Sequence, residues 1–159
     1  DKGKIKLNRE EIDVHLLLSN VASNFEMQVK NKNGNIILDL NAKKTIISAD
    51  EVHFSNILSN LVDNAIKYCS AEPVITLSAW DSRKKMFIAV KDNGIGISKK
   101  DQKRIFEKFY RVSTGNIHNV KGFGLGLCYV KTIAEEHGGS INIESQTGKG
   151  SRFIIIIPF

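Results

Sequence analysis

No stretch of this 159-residue chain approaches the ~20 consecutive apolar residues of a membrane-spanning helix. The longest apolar run, residues 153–159, reads as a buried strand that ends at Pro158. No secretory signal pattern is present. The first residue is Asp1 and not Met, so the expectation is an excised domain. Cysteine is scarce: Cys69 and Cys128 sit inside apolar periodic segments with no metal-binding spacing. Free, reduced core thiols are expected, in keeping with a cytoplasmic setting. There is no internal repeat, no low-complexity tract and no Arg-rich tract. The net charge of +6 is spread along the chain, so a nucleic-acid partner is not expected. An anionic small ligand would use the same charge. What is present, 42% hydrophobic and 25% charged residues, is ordinary globular usage. The length suits one domain spanning residues 1–159.

Periodicity sets out the elements. Ile5–Leu7 reads as a short edge strand. Ile12, Leu16, Val21, Phe25 and Val29 have the spacing of an amphipathic helix over Glu11–Lys32, with Gly34 in its C-cap region. Ile36–Leu40 and Thr45–Ser48 read as short strands. Asp50 is a candidate N-cap for a second helix, Glu51–Tyr68. Val74–Trp80 and Met86–Lys91 read as a hairpin. Ser98 could cap a short helix, Lys99–Phe106. Gly124–His137 reads as a third long helix stopped by Gly138-Gly139. Ser140–Ser145 and Ser151–Phe159 read as a last hairpin. The mixed order of strands and three main helices predicts an α/β fold: a two-layer sandwich with a mostly antiparallel sheet and helices on one face.

Two features of this pattern bear on chemistry. On the second helix Ile57, Leu58, Leu61, Val62 and Ala65 cluster on one face, while Asn56, Asn60, Asn64 and Lys67 form a second stripe. Asn is a mediocre helix former, so the stripe costs helix stability without local return. It is either a solvated face or a ligand face. An amide oxygen can coordinate Mg²⁺ without adding charge, and a lysine can meet a phosphate as a point charge. The second feature is glycine. Ten of the twelve glycines lie between residues 94 and 150, grouped as Asp92-Asn93-Gly94-Ile95-Gly96, Gly122-Phe123-Gly124-Leu125-Gly126 and Gly148-Lys149-Gly150. Each group alone could be no more than a turn. Glycine also lets backbone approach a ligand, and the middle group runs into a helix, whose N-terminal N–H groups attract phosphate. No strand precedes that group as a dinucleotide fingerprint requires. The Walker A and the Ser/Thr-kinase patterns are absent.

The order of these pieces is more specific than any one of them. Asn60-Leu-Val-Asp-Asn64-Ala-Ile-Lys67-Tyr68 comes first. Asp92-Asn-Gly-Ile-Gly96 and Phe106-Glu-Lys-Phe-Tyr-Arg111 follow. Gly122-Phe-Gly-Leu-Gly-Leu127 and Thr147-Gly-Lys-Gly-Ser151 come last. This series resembles the N, G1, F, G2 and G3 boxes of the catalytic domain of sensor histidine kinases, a branch of the Bergerat-fold ATPases alongside gyrase, HSP90 and MutL. The resemblance covers nearly the whole chain. It implies that ATP and Mg²⁺ bind here, with Asn64 holding the metal against the triphosphate. It implies that Asn60 and Lys67 contact phosphates or the ion's waters. Tyr68 would line the nucleotide pocket, Asp92 would accept from the adenine amino group, and Gly94 and Gly96 would shape the pocket. Residues 107–123 would form a lid over ATP, with Arg111 available to the γ-phosphate. Gly122, Gly124 and Gly126 would let that lid hinge. The nucleotide-contacting set also takes in Ile97, Phe123, Leu125, Leu127 and Ser151, and Asn60, Lys67 and Arg111 would act in transfer.

Position 60 separates the branches. Gyrase and HSP90 relatives carry a glutamate base there, whereas an Asn60 amide takes no proton near neutral pH. The sequence therefore favours transfer to a protein side chain over hydrolysis. Phe123 departs from the family's usual Ser or Thr, so a hydroxyl contact is lost there. The family's acceptor histidine sits in an upstream dimerising hairpin, and none of His15, His53, His118 or His137 has that context, so the resemblance implies that this chain by itself is monomeric. The implied partners are that histidine-containing domain and a downstream response regulator, in a cytoplasmic part of a membrane-anchored sensor. Two other readings stay open: a nucleotide-binding regulatory module without transfer, and a gyrase-like ATPase.

Overall fold

The structure, a computed structural model, describes residues 5–69, 71–108, 110 and 126–159. Seven strands and four helices run in the order β1 (Glu10–Asp13), α1 (Val14–Lys30), β2 (Asn35–Leu40), β3 (Ile46–Ala49), α2 (Glu51–Lys67), β4 (Val74–Asp81), β5 (Lys85–Lys91), α3 (Lys99–Gln102), α4 (Gly126–Glu136), β6 (Ser140–Ser145) and β7 (Ser151–Pro158). Five strands form the main sheet in the order β2-β4-β5-β7-β6, and β1 pairs with β3 in a separate two-stranded sheet. Among the described residues only β2–β4 is parallel, and every other pairing is antiparallel. The long helices lie against the main sheet, α1 over β2 and β4, α2 over β4 and β5, α4 over β6 and β7. The fold is a two-layer α/β sandwich, as the element order predicts.

Strand alternation builds the core. Ile75, Leu77 and Ala79 of β4 are buried while Thr76, Ser78 and Trp80 are half-exposed. Met86, Ile88 and Val90 of β5 and Phe153, Ile155 and Ile157 of β7 are buried likewise. The apolar stripe of α2 covers this face: Phe54, Ile57, Leu58, Leu61, Val62, Ala65 and Ile66 are all buried. Burying one such side chain contributes about 1.5–3 kcal/mol.

Several boundaries differ from the periodic reading. Ile5–Leu7 is not a strand. The first strand is Glu10–Asp13, paired with β3, so Ile12, although in phase with the α1 apolar stripe, lies in a strand opposite Ile47. Helix α1 starts only at Val14, because the Asp13 carboxylate accepts from His15 N and Leu16 N and caps it. At the other end the left-handed residue is Asn33, φ 58°, and not Gly34. Gly34 is needed because a Cβ there would collide with the carbonyl of Pro73. The short helix after Ser98 ends at Gln102. Helix α4 is described from Gly126, and it stops as expected at Gly138, φ 77°, with Gly139 N donating to Ala134 O.

The incoming segment is fastened before β1 begins. The backbone N–H of Asn8 donates to the Asp50 carboxylate at 2.8 Å. The Arg9 guanidinium donates to Ser48 O and to Glu136 O, both at 3.3 Å. Asp50 also caps α2 through His53 N. Its own N–H donates to His137 Nε2 at 3.0 Å, and His137 Nδ1 meets Ile133 O at 2.7 Å. His137 is buried, and burial pulls its pKa below the usual histidine value.

Candidate nucleotide site

Helix α2 supplies one wall of the site. Asn60 and Asn64 are half-buried and one turn apart, on the side away from the core stripe. The first residue of α4, Gly126, lies beside them: a Cβ there would sit 4.0 Å from Asn60 Nδ2. Asn56 is exposed one turn earlier. Lys67 is exposed and paired with Asp63 at 2.8 Å. Such an i,i+4 pair contributes only about 0.3–0.5 kcal/mol, little resistance to an arriving phosphate.

The second wall is the loop after β5. It is stitched to the end of α2 by Ile95 N donating to Tyr68 O at 3.1 Å, and a Cβ at Gly94 would sit 2.6 Å from that same oxygen. Asp92 Oδ1 accepts from Gly94 N at 2.8 Å and from Ser151 N at 3.1 Å. Its Oδ2 accepts no hydrogen bond from the described residues. Burial pushes the Asp92 pKa above the usual carboxylate value, opposed by those two N–H donors. Two glycines hold this loop against the β6–β7 turn. Gly96 (φ 74°) and Gly150 (φ 87°) have left-handed backbones. A Cβ on the first would strike the Gln146 carbonyl, and on the second the Asp92 carbonyl. The hairpin reading of Gly148-Lys149-Gly150 holds: Gly148 N donates to Ile95 O at 2.7 Å, and a Cβ on Gly148 would meet nothing within 4 Å.

An acidic acceptor and an amide pair thus frame one end and one side of a helix. Residues 49–159 match the family described as histidine kinase-, DNA gyrase B-, and HSP90-like ATPase. The chain belongs to that family. It is 45% identical over 160 residues to the sensor protein RprX of Bacteroides fragilis, covering 99% of this chain and 31% of the relative. It is 32% identical over 158 residues to the sensor protein SrrB of Staphylococcus aureus, covering 99% and 27%. Among solved structures it resembles full-length ShkA in complex with AMPPNP, with TM-score 0.87 and 28% identity over 99% of this chain and 32% of that one. It also resembles the catalytic domain of histidine kinase ThkA, with TM-score 0.81 and 27% identity over 96% of both chains. The chain spans about a third or less of the curated sensor proteins it matches.

Within this ATPase-family domain the structure brings together Asn60, Asn64, Tyr68, Asp92, Gly94, Gly96, Ile97, Gly126 and Ser151. Leu127 is half-buried at the start of α4 and packs against the core. Arg111, Gly122, Phe123, Gly124 and Leu125 lie outside the described residues, as does most of the lid range 107–123 and His118. Both cysteines are free but only half-buried. Cys69 is not a core thiol; its Sγ donates to Ala71 O at 3.3 Å. His53 faces α4 through a 2.6 Å bond to the Tyr129 hydroxyl. Asn93, next to Asp92, is structural: it accepts from Val74 N at 2.8 Å and donates to Glu72 O at 3.0 Å. An open polar groove of about 590 Å³ touches the site at Asp92 and Ser151, but its Arg152 is already engaged by Glu144 and by the Trp80 ring.

The sequence reading missed Ser145 and Gln102. Ser145 Oγ accepts from Ile97 N at 2.8 Å. Gln102 Nε2 donates to Ile97 O at 2.7 Å and Ser145 O at 3.0 Å. Neither belongs to a glycine group or to the Asn stripe. The only local signal was a hydroxyl residue at the end of an otherwise alternating strand.

Proposed function

We propose that this domain binds Mg-ATP and donates the γ-phosphate to a histidine on a separate dimerisation domain of a two-component sensor kinase. The observation that carries the reading is Asp92: one carboxylate oxygen is held by two backbone donors while the other has none among the described residues, near the end of the helix that carries Asn60 and Asn64. A nucleobase amino group is the complementary partner. ShkA, a structural relative, was solved with AMPPNP, and ThkA was solved with the response regulator protein TrrA. Both support an ATP ligand and a response-regulator partner. By the same reading the domain is monomeric and belongs to the cytoplasmic part of a membrane-anchored sensor. Among the described residues no helix is long and apolar enough to cross a membrane.

The donor set fits Mg²⁺ carried by a triphosphate. Among the described residues no three His, Cys, Asp or Glu side chains converge on a metal position. Mg²⁺ keeps much of its water and takes one or two protein oxygens beside substrate phosphates; Asn64 is the residue to supply one. When bound, the ion neutralises phosphate charge during transfer. The chain's own part is positioning. Asp92 fixes the base, Tyr68 lines the pocket, and Asn60 orients phosphate oxygens or the ion's waters. Lys67, released from Asp63, and Arg111 add positive charge where the γ-phosphate leaves. Asn60 offers no base for water, so an acceptor bringing its own lone pair is favoured, and a histidine side chain has one.

The test supplies a dimerisation segment with its acceptor histidine and Mg-ATP labelled in the γ-phosphate, and follows label on that histidine. Transfer that falls with Asn64→Ala is expected. Mg-ATP binding without transfer would identify a regulatory module, and rapid steady-state hydrolysis without an acceptor would identify a gyrase-like ATPase. If Asn64→Ala leaves the Mg²⁺ dependence of ATP affinity unchanged, the metal assignment is wrong.

A further inference from the structure

We infer that Ser145, with Gln102 behind it, is a positioning residue that sets the domain's preference for adenine by fixing how Asp92 is presented. The inference rests on the reading of Asp92 given above. A serine hydroxyl has one proton to give and two lone pairs. At Ser145 all three are used. It accepts from Ile97 N at 2.8 Å, donates to Gly150 O at 2.9 Å, and lies 2.7 Å from Ser151 Oγ, which then donates to it. The three partners belong to the loop after β5, the β6–β7 turn and the first residue of β7. One hydroxyl, at the end of β6, therefore joins the loop after β5 to the consecutive residues Gly150 and Ser151.

The joint leads directly to the base-facing carboxylate. Ser151, buried at 6% exposure, gives its N–H to Asp92 Oδ1 and its carbonyl to Asp92 N at 2.8 Å. Asp92 is thus gripped on both sides by the residue whose hydroxyl is bonded to Ser145. Gln102 closes the same joint from outside, its amide bridging Ile97 O and Ser145 O. The glycine contacts show how little play the joint has: Gly96 touches the Gln146 backbone and Gly150 touches that of Asp92. Removing the hydroxyl leaves Ile97 N–H without its partner and Gly150 O with only the long 3.4 Å bond from Gln146 N, and the freed hydroxyl of Ser151 must turn elsewhere. Asp92 Oδ1 keeps both backbone donors, but the Ser151 backbone that supplies one of them is no longer anchored to the loop, so the other oxygen no longer meets the base at one angle.

The experiment measures equilibrium binding of Mg-ATP and Mg-GTP to the chain by calorimetry, with thermal midpoints recorded in parallel. Ser145→Ala is expected to weaken Mg-ATP by about tenfold, the scale of one lost buried hydrogen bond, and to leave the weaker Mg-GTP binding nearly unchanged. The ATP:GTP ratio therefore narrows. Ser145→Thr, which keeps the hydroxyl, restores the ratio; a merely structural serine would move both nucleotides together. Gln102→Ala, at a half-exposed position, is expected to narrow the ratio by about two- to threefold, and it decides the matter if Ser145→Ala does not fold. An unchanged ratio in the folded variants overturns the inference. Asp92→Asn separates it from the reading beneath: a ratio unmoved by Asp92→Asn sinks the adenine assignment itself, whereas a collapsed ratio there with none at Ser145 sinks only the role of Ser145.

Discussion

Replacing Asp92 with Asn exchanges one oxygen for an NH₂ group and, in the proposed adenine site, reverses the sense of the group offered to the base. Oδ1 stays free to accept from Gly94 N and Ser151 N, so the loop keeps its two internal bonds. The outward atom becomes a donor, and an adenine amino group is also a donor. A buried polar group left facing its own kind costs about 1–3 kcal/mol, which is roughly 5- to 150-fold in affinity. Stability should move the other way. Burial holds the Asp92 pKa above its ordinary value, so the ionised group is less favourable folded than unfolded. Stability is therefore lost as pH rises from 3.8 through the folded value, and at neutral pH the neutral amide removes that cost. Calorimetry with Mg-ATP beside thermal unfolding at pH 7 reads both effects. The expected result is weaker binding with a midpoint equal to wild type or higher. A variant that loses midpoint and affinity together would show that Asp92 holds the loop and does not read the base.

Gly150→Ala and Gly148→Ala form a matched pair, since both glycines have left-handed backbones. The first adds a collision with the Asp92 carbonyl and the second meets open space. Gly148→Ala should cost about 1–2 kcal/mol, the strain of a left-handed alanine, or roughly 2–8 °C in thermal midpoint. Gly150→Ala should cost clearly more, and equal midpoints would refute the loop-to-loop contact. His137 sets a pH dependence. Its pKa is lowered in the folded state, so the unfolded chain takes up a proton first, and stability should fall as pH drops below 6.5. Urea midpoints between pH 7.5 and 5 should show the fall, and a His137→Gln variant should flatten it. Asp50→Ala removes the cap of α2 and the acceptor for Asn8 N. It should cost at least the ~0.5–2 kcal/mol of a lost N-cap, measured by chemical denaturation, and an unchanged midpoint would show that neither bond matters.

Helix α2 was legible because its signals are local: Asp50 at the cap, a 3.6-residue apolar stripe, and three amides on another stripe. The hairpin β4–β5 and the β6–β7 turn were legible for the same reason. The start of α1 was not. Ile12 fits the helical period, and only its pairing with Ile47, 35 residues away in sequence, makes it strand. The glycines were found but half understood. Gly96 and Gly150 were read as pocket-forming or ligand-approaching, and their need for hydrogen in place of Cβ comes from backbones 50 and 58 residues away, at Gln146 and Asp92. Ser145 was invisible for the same reason, because its three hydrogen bonds span the loop and hairpin and no periodicity reports them. The order of the motifs singled out Asp92; that one of its oxygens takes both of its hydrogen bonds among the described residues required coordinates.

The fastening of residues 8 and 9 bears on how motion upstream would be felt. Asn8 and Arg9 hold the cap of α2 and the carboxyl end of α4, and those two helices meet where Gly126 lies beside Asn60. A displacement of residues 8 and 9 would therefore pull on the start of α2 and the end of α4 together, and at the far end of α2 the bond from Ile95 N to Tyr68 O would pass it to the loop that carries Asp92.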